Sequence, residues 1–158
     1  MWILSFLLWA SLGGPAQEPP PAPQPIPFSH KRHAEAGLRC AYCHPARDPG
    51  RAAGLPAESV CMGCHESVKR DSPAIATLAE HARAGRAVEW VRVYRLPGYV
   101  WFSHRAHGEA SLDCQACHGA VSERDVLVKE KPITMRACMD CHARRGASND
   151  CGFCHNPN

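Results

Sequence analysis

The pentapeptide CAYCH occupies residues 40–44, and its frame, Cys-x-x-Cys-His, occurs five times in the chain. We call this copy site 1. The others are CMGCH at 61–65 (site 2), CQACH at 114–118 (site 3), CMDCH at 138–142 (site 4) and CGFCH at 151–155 (site 5). Together the five copies use all ten cysteines. The motif therefore organises the whole chain.

An even number of cysteines is also compatible with a disulfide framework, and paired CxxC units with zinc ribbons. Neither explains a histidine after every second cysteine. CxxCH is the attachment motif of c-type haem: the two thiols bind one haem covalently, and the histidine becomes the proximal iron ligand. The sequence therefore predicts five covalently bound haem c groups. The attachment residues are Cys40, Cys43, Cys61, Cys64, Cys114, Cys117, Cys138, Cys141, Cys151 and Cys154, and the proximal ligands are His44, His65, His118, His142 and His155.

Four of the five remaining histidines lie in a repeated hexapeptide, FSHKRH at 28–33 and FSHRAH at 102–107. In both copies a CxxCH begins 12 residues after the phenylalanine. Positions i and i+3 of one helical turn are neighbours that point in different directions, so one turn could ligate two haems. Surface histidines beside a phenylalanine would not need this repeated spacing. We expect distal iron ligands at His30, His33, His104 and His107.

With the last histidine, His81, the chain has one candidate distal histidine for each predicted haem. A single histidine at the edge of an amphipathic helix is more often a half-exposed residue. Met135, three residues before Cys138, is the alternative ligand. A thioether in place of an imidazole would raise the potential of that haem.

The rest of the composition explains why haem would matter for folding. The chain has 158 residues with 14 Pro, 12 Gly and only 11 aromatic side chains (4 Phe, 4 Trp, 3 Tyr), too few large apolar groups for a sufficient core. The predicted fold is therefore mostly irregular with short α-helices, a small multihaem cytochrome fold in which the haems form the core. The repeat divides the haem domain, 28–158, into module one (28–71), a connecting segment (72–101) and module two (102–158).

The connecting segment contains the clearest helix signal. Ser72 can cap a helix, Pro73 suits its first turn and Gly85 can end it. The stretch VEWVRVYRL at 88–96 is typical of an extended chain, and Pro97-Gly98 predicts a turn into module two.

The first 27 residues differ in character from the rest. Residues 1–16 are apolar and uncharged, which indicates a secretory signal peptide or a retained membrane anchor. Residues 17–27 form a proline-rich linker that favours neither helix nor sheet. Both interpretations of the leader place the remainder in the periplasm or on the periplasmic face of the inner membrane, where c-type haem is attached.

The formal net charge of +3 is modest, and the propionates of the haems would make the loaded protein negative. The charge therefore gives no support to nucleic-acid binding.

FxHxxH followed by CxxCH resembles the class III multihaem cytochromes. That resemblance implies that His30 serves the haem of Cys40 and Cys43, and His104 the haem of Cys114 and Cys117. The stretches PIPFSHKRHAEAGLRCAYCH, CMGCHESVKRDSP, VEWVRVYRLPGYVWFSHRAH and ITMRACMDCH further resemble the pentahaem subunit of alternative complex III, a bacterial assembly that oxidises membrane quinol. The resemblance runs from about residue 25 to 155 and implies redox partners within a quinol-oxidising membrane complex.

A histidine available for every iron favours electron transfer through bis-histidine haems over catalysis, and no catalytic residue is predicted. Two alternatives stay open: a free periplasmic carrier, and a multihaem reductase if one haem lacks a sixth ligand.

Overall fold

The computed structural model describes residues 20–45 and 53–155. In these ranges the chain forms short helices joined by irregular segments and contains no β-strand, which confirms the predicted fold class. The α-helices are α1 (His30–Glu35), α2 (Cys40–Cys43), α3 (Glu58–His65), α4 (Pro73–Ala84), α5 (His104–Glu109), α6 (Gln115–His118), α7 (Met135–Arg145) and α8 (Cys151–His155), and one 3-10 helix spans Val121–Glu123.

The apolar core of the described residues is very small. Its buried members are Ile26, Leu78 and Val88, and the half-buried side chains packed against it include Ile75 and Trp90. A core of this size cannot offset the conformational entropy lost when the chain orders. Another group must supply the missing burial.

The predicted connecting helix is present as α4. Ser72 occupies its N-cap position, Pro73 opens its first turn, and Gly85 ends it in a left-handed conformation with φ +59°. α4 packs against α3, and the side chain of Glu58 at the start of α3 accepts a 2.7 Å hydrogen bond from the backbone N–H of Val88. The helix thus ties site 2 to the small core.

Segment 88–96 follows α4 without regular secondary structure. The side-chain amide of Gln24 satisfies both backbone hydrogen-bonding groups of Val91. Its Nε2 donates to the Val91 carbonyl (2.9 Å), and its Oε1 accepts from the Val91 N–H (3.0 Å). The predicted turn follows, closed by a 3.0 Å bond from the Val100 N–H to the Pro97 carbonyl.

Helices α1 and α5 are the two copies of the FSHxxH repeat. Ser29 caps α1 by accepting from the Arg32 N–H (3.1 Å), and Ser103 caps α5 by accepting from the Ala106 N–H (3.1 Å). Each cap starts the helix at the first histidine, so both histidines of a copy lie on its first turn.

The two modules touch where α1 packs against the 3-10 helix. The Lys31 N–H donates to the Arg124 carbonyl (3.0 Å), and the Ser29 hydroxyl donates to Asp125 Oδ1 (2.7 Å). Arg32 approaches the same carboxylate at 3.8 Å. Helix α1, which carries His30 and His33, therefore packs against the chain that follows site 3.

The predicted leader, 1–16, and residues 17–19 of the proline-rich linker lie outside the described residues, as do 46–52 of module one and 156–158 of module two. None of the helices formed by residues 20–45 and 53–155 has the length and apolarity needed to span a bilayer. The module boundaries stay predictions.

Candidate metal centres

The first histidine of each FSHxxH copy faces the histidine of the next CxxCH motif. The rings of His30 and His44 have centroids 6.5 Å apart and planes only 16° from parallel. The rings of His104 and His118 repeat this arrangement at 6.4 Å and 7°.

The second histidine of each copy faces a more distant motif. His33 lies 6.1 Å from His65, with an interplanar angle of 64°, and His107 lies 6.1 Å from His142 at 32°. One helical turn in each module therefore contributes to two histidine pairs.

These separations match two imidazoles on opposite sides of one metal ion. With metal–nitrogen bonds of about 2 Å and ring centres about 1 Å further out, the centroids would be about 6 Å apart. The two histidines of each pair would therefore fit a haem iron bound between their rings.

Hydrogen bonding at the other ring nitrogen points the same way. Nδ1 faces a backbone carbonyl in five of the paired rings, so it must carry the proton, which leaves Nε2 as a free lone pair for a metal. The bonds run from His33 to Ser29 O (2.7 Å), His107 to Ser103 O (2.7 Å), His44 to Gly54 O (2.7 Å), His65 to Val68 O (2.9 Å) and His142 to Ser148 O (2.7 Å).

The surroundings of the first histidine in each FSHxxH copy lower its pKa and so favour the neutral imidazole. Burial, followed by the neighbouring His44 and His33, lowers the pKa of His30 to about 4. Burial and nearby histidines, His118 first, lower the pKa of His104 as well. The Nδ1 atom of His104 is buried without a hydrogen-bond partner within the described ranges. Neutral imidazole is the form that binds metals.

No disulfide joins any of the ten cysteines, all of which lie in the described ranges. Each pair lies at i and i+3 on or beside a short helix, so the two thiols of a pair are neighbours. Burial raises the pKa of the thiols of Cys43, Cys61, Cys114, Cys117 and Cys138. No group of three or more His, Cys, Asp or Glu side chains able to hold a metal ion is found in 20–45 and 53–155.

Known proteins resemble this chain in sequence. Residues 100–156 match the family described as cytochrome c7 and related cytochrome c. The chain is also 34% identical over 163 residues to the multihaem cytochrome c subunit of menaquinone reductase from Nitratidesulfovibrio vulgaris, an alignment that covers 84% of this chain and 76% of that protein. The chain belongs to the multihaem cytochromes c. These are electron-transfer proteins with covalently bound haem c.

Site 5 of this multihaem cytochrome differs from the other four. The ring of His155 contacts Tyr99 (6.0 Å, 30°), and no histidine ring in the described part of the chain is paired with it. The Trp101 N–H donates to the Cys154 carbonyl (2.7 Å), which anchors this site to the end of the connecting segment.

The two predicted candidates for a fifth distal ligand lie elsewhere. His81 sits near the end of α4, with Nδ1 bonded to the Arg86 carbonyl (3.1 Å). Met135 opens α7 with 66% of its surface exposed. Ligation by either residue stays a prediction.

The phenylalanines of the repeat pack against the two histidines of the same FSHxxH copy. Phe28 stacks on His33 (4.5 Å, 19°) and meets His30 edge-on (4.8 Å, 81°). The repeated Phe was visible in the sequence, but its contact with both histidines was not predicted.

A second support was missed altogether. The Tyr94 ring meets the His118 ring edge-on at 4.7 Å, and its hydroxyl donates to the His118 carbonyl (3.0 Å) and accepts from the Glu130 N–H (2.9 Å). Glu130 in turn pairs with Arg124 and accepts from the Ala120 N–H (2.9 Å). These residues are far apart in sequence and match no motif.

Proposed function

We propose that this multihaem cytochrome carries five haem c groups, one at each CxxCH site, and transfers electrons in the periplasm. The observation that carries the proposal is the set of four histidine pairs spaced 6.1–6.5 Å apart. When bound, haem c supplies a reversible one-electron couple whose potential depends on its axial ligands and surroundings.

The chain's own residues suit electron transfer more than catalysis at sites 1–4. Histidines on both sides of a metal leave no coordination position for a substrate. The carbonyls bonded to Nδ1 hold the rings of His33, His44, His65, His107 and His142 in place, so little rearrangement accompanies a change of charge.

Haem would also complete the fold. Since the buried apolar residues of the described part are only Ile26, Leu78 and Val88, covalent haem packed between the helices is the natural core. Binding energy would then act as folding energy, as in other small metal-dependent domains.

The partner we propose is a quinone-reactive membrane complex. The resemblance to the alternative complex III subunit favours electrons arriving from quinol and leaving to a periplasmic redox protein. The relative from N. vulgaris is named as a subunit of menaquinone reductase, and this favours a second candidate with electrons flowing towards quinone. In both cases another subunit does the quinone chemistry, and this chain is not itself an enzyme.

Co-purification from the native membrane in mild detergent tests the complex. We expect integral membrane subunits to accompany the cytochrome. Reduction of the purified complex by menaquinol supports the first direction, and reduction of menaquinone by a reduced periplasmic cytochrome supports the second. Recovery only as a separate monomer would favour the free periplasmic carrier.

Intact mass and low-temperature EPR test the centres. We expect a mass increase of five haems and low-spin signals from sites 1–4. A smaller haem count, or zinc, would contradict the proposal. Rapid turnover of nitrite by the isolated chain would instead support a reductase with an open haem at site 5.

A further inference from the structure

The spatial order of the five sites is not their order along the chain. We propose that the sites form one row in the order 2–1–3–4–5, in which the modules meet through sites 1 and 3 and the row ends at sites 2 and 5. This inference rests on the proposed function and adds the path that electrons take through the chain's sites.

The link between sites 1 and 2 is helix α1. His30 and His33 lie on one turn and face His44 of site 1 and His65 of site 2, respectively. Neighbours on one helix face have Cβ atoms about 5–6 Å apart. The thiols agree, because the proximity of Cys43 adds to burial in raising the pKa of Cys61.

The link between sites 3 and 4 is the equivalent turn of α5. His104 faces His118 of site 3, and His107 faces His142 of site 4. After burial, the nearby Cys117 thiol raises the pKa of Cys138.

The link between the modules joins sites 1 and 3. α1 rests on the 3-10 helix just after site 3, through the bonds from Lys31 to Arg124 and from Ser29 to Asp125. The attachment cysteines lie close together at this contact, because the neighbouring Cys40 thiol, after burial, raises the pKa of Cys114.

The link between sites 4 and 5 is the short connection from α7 to α8. It folds back on α7 through bonds from Asn149 Nδ2 to the Met139 carbonyl (3.1 Å) and from His142 Nδ1 to the Ser148 carbonyl (2.7 Å). Cys138 and Cys154 are near neighbours as a result.

The row has a consequence for partners. Sites 1, 3 and 4 each lie between two others, whereas sites 2 and 5 have one neighbour each. Electrons would therefore enter and leave the chain at the residues around 61–65 and 151–155.

The test compares two variants on one helical turn. His30→Ala makes site 1 high-spin, and His33→Ala makes site 2 high-spin, in otherwise identical holoprotein. A high-spin centre broadens the EPR signals of adjacent low-spin centres, since dipolar coupling falls steeply with distance. We expect His30→Ala to perturb two neighbouring signals and His33→Ala only one.

The opposite result, two neighbours for His33→Ala and one for His30→Ala, would overturn the row and support the order of the sequence. If the alanine variants do not fold, His30→Met and His33→Met keep a sixth ligand, and thioether ligation raises the potential of the altered site. Redox titration should then show shifts at two neighbouring centres for His30→Met and at one for His33→Met, and the reverse counts would again overturn the row.

The result of this comparison can be distinguished from a failure of the proposed function. Haem count and low-spin signals in the wild-type protein decide whether the sites are haem centres. The variant comparison decides only which sites are adjacent.

Discussion

The ring of Phe102 stacks on that of His107, with centroids 4.4 Å apart and an interplanar angle of 27°. The same phenylalanine meets His104 edge-on at 4.7 Å and 84°. One side chain therefore limits the rotation of both imidazoles. Because these imidazoles face sites 3 and 4, Phe102 influences both sites. Phe28 does the same for sites 1 and 2 in module one.

Phe102→Ala should therefore disturb two centres at once. We expect the low-spin EPR signals of sites 3 and 4 to shift or broaden, and the free energy of unfolding to fall by about 1–2 kcal/mol from lost aromatic contact. Phe153→Ala is the control, since that ring is 68% exposed. Equal spectral effects of the two substitutions would contradict an orienting role for Phe102.

Tyr94→Phe should weaken one centre alone. The substitution removes the hydroxyl that donates to the His118 carbonyl and accepts from the Glu130 N–H, while the ring contact with His118 is kept. Loss of a part-buried hydrogen-bonding group costs about 1–3 kcal/mol. We expect a lower melting temperature and a change confined to the site 3 signal. The control is Tyr99→Phe, whose side chain is 71% exposed, and a comparable loss of stability there would count against this role of Tyr94.

Gly119→Ala should lower the stability of the protein more than Gly146→Ala, because the space beside Gly119 is occupied. A Cβ at Gly119 would lie 2.3 Å from Glu130 Oε2, and φ is +75°. Gly119 also has ψ −162°, a backbone region found almost only in glycine. Gly146, with φ +67°, ψ 22° and no atom within 4 Å of its Cβ position, gives the cost of the ordinary left-handed conformation alone. Alanine in that left-handed conformation costs roughly 1–2 kcal/mol. Thermal unfolding of the holoprotein should show a clearly larger loss for Gly119→Ala than for Gly146→Ala, and equal losses would mean that Glu130 moves aside freely.

The sixth ligand of site 5 is open to a direct measurement. His81→Ala converts one low-spin EPR signal to high-spin if His81 is that ligand. The sequence predicts this role because five histidines lie outside the five CxxCH motifs. Met135→Leu should do so instead if the thioether binds. If neither substitution changes the spin state, both predictions are wrong, and site 5 takes its ligand from another group or is five-coordinate.

The sequence by itself determined what is local or repeated. The CxxCH frame carries the chemistry of haem attachment within five residues, and family membership agrees with it. Helix α4 was predictable from Ser72, Pro73 and Gly85, because caps and helix periodicity act over neighbouring residues. The scarcity of large apolar side chains likewise predicted a fold with few regular elements.

Only the tertiary structure decided which residues meet across long stretches of chain. It paired His33 with His65, placed Cys40 near Cys114, and brought Tyr94 and Glu130 to His118. No local pattern encodes these contacts, because they depend on how the modules pack at α1 and the 3-10 helix. The two FSHxxH turns look equivalent in sequence, yet it is α1 that packs against the 3-10 helix after site 3, and this contact underlies the proposed row with sites 2 and 5 at its ends.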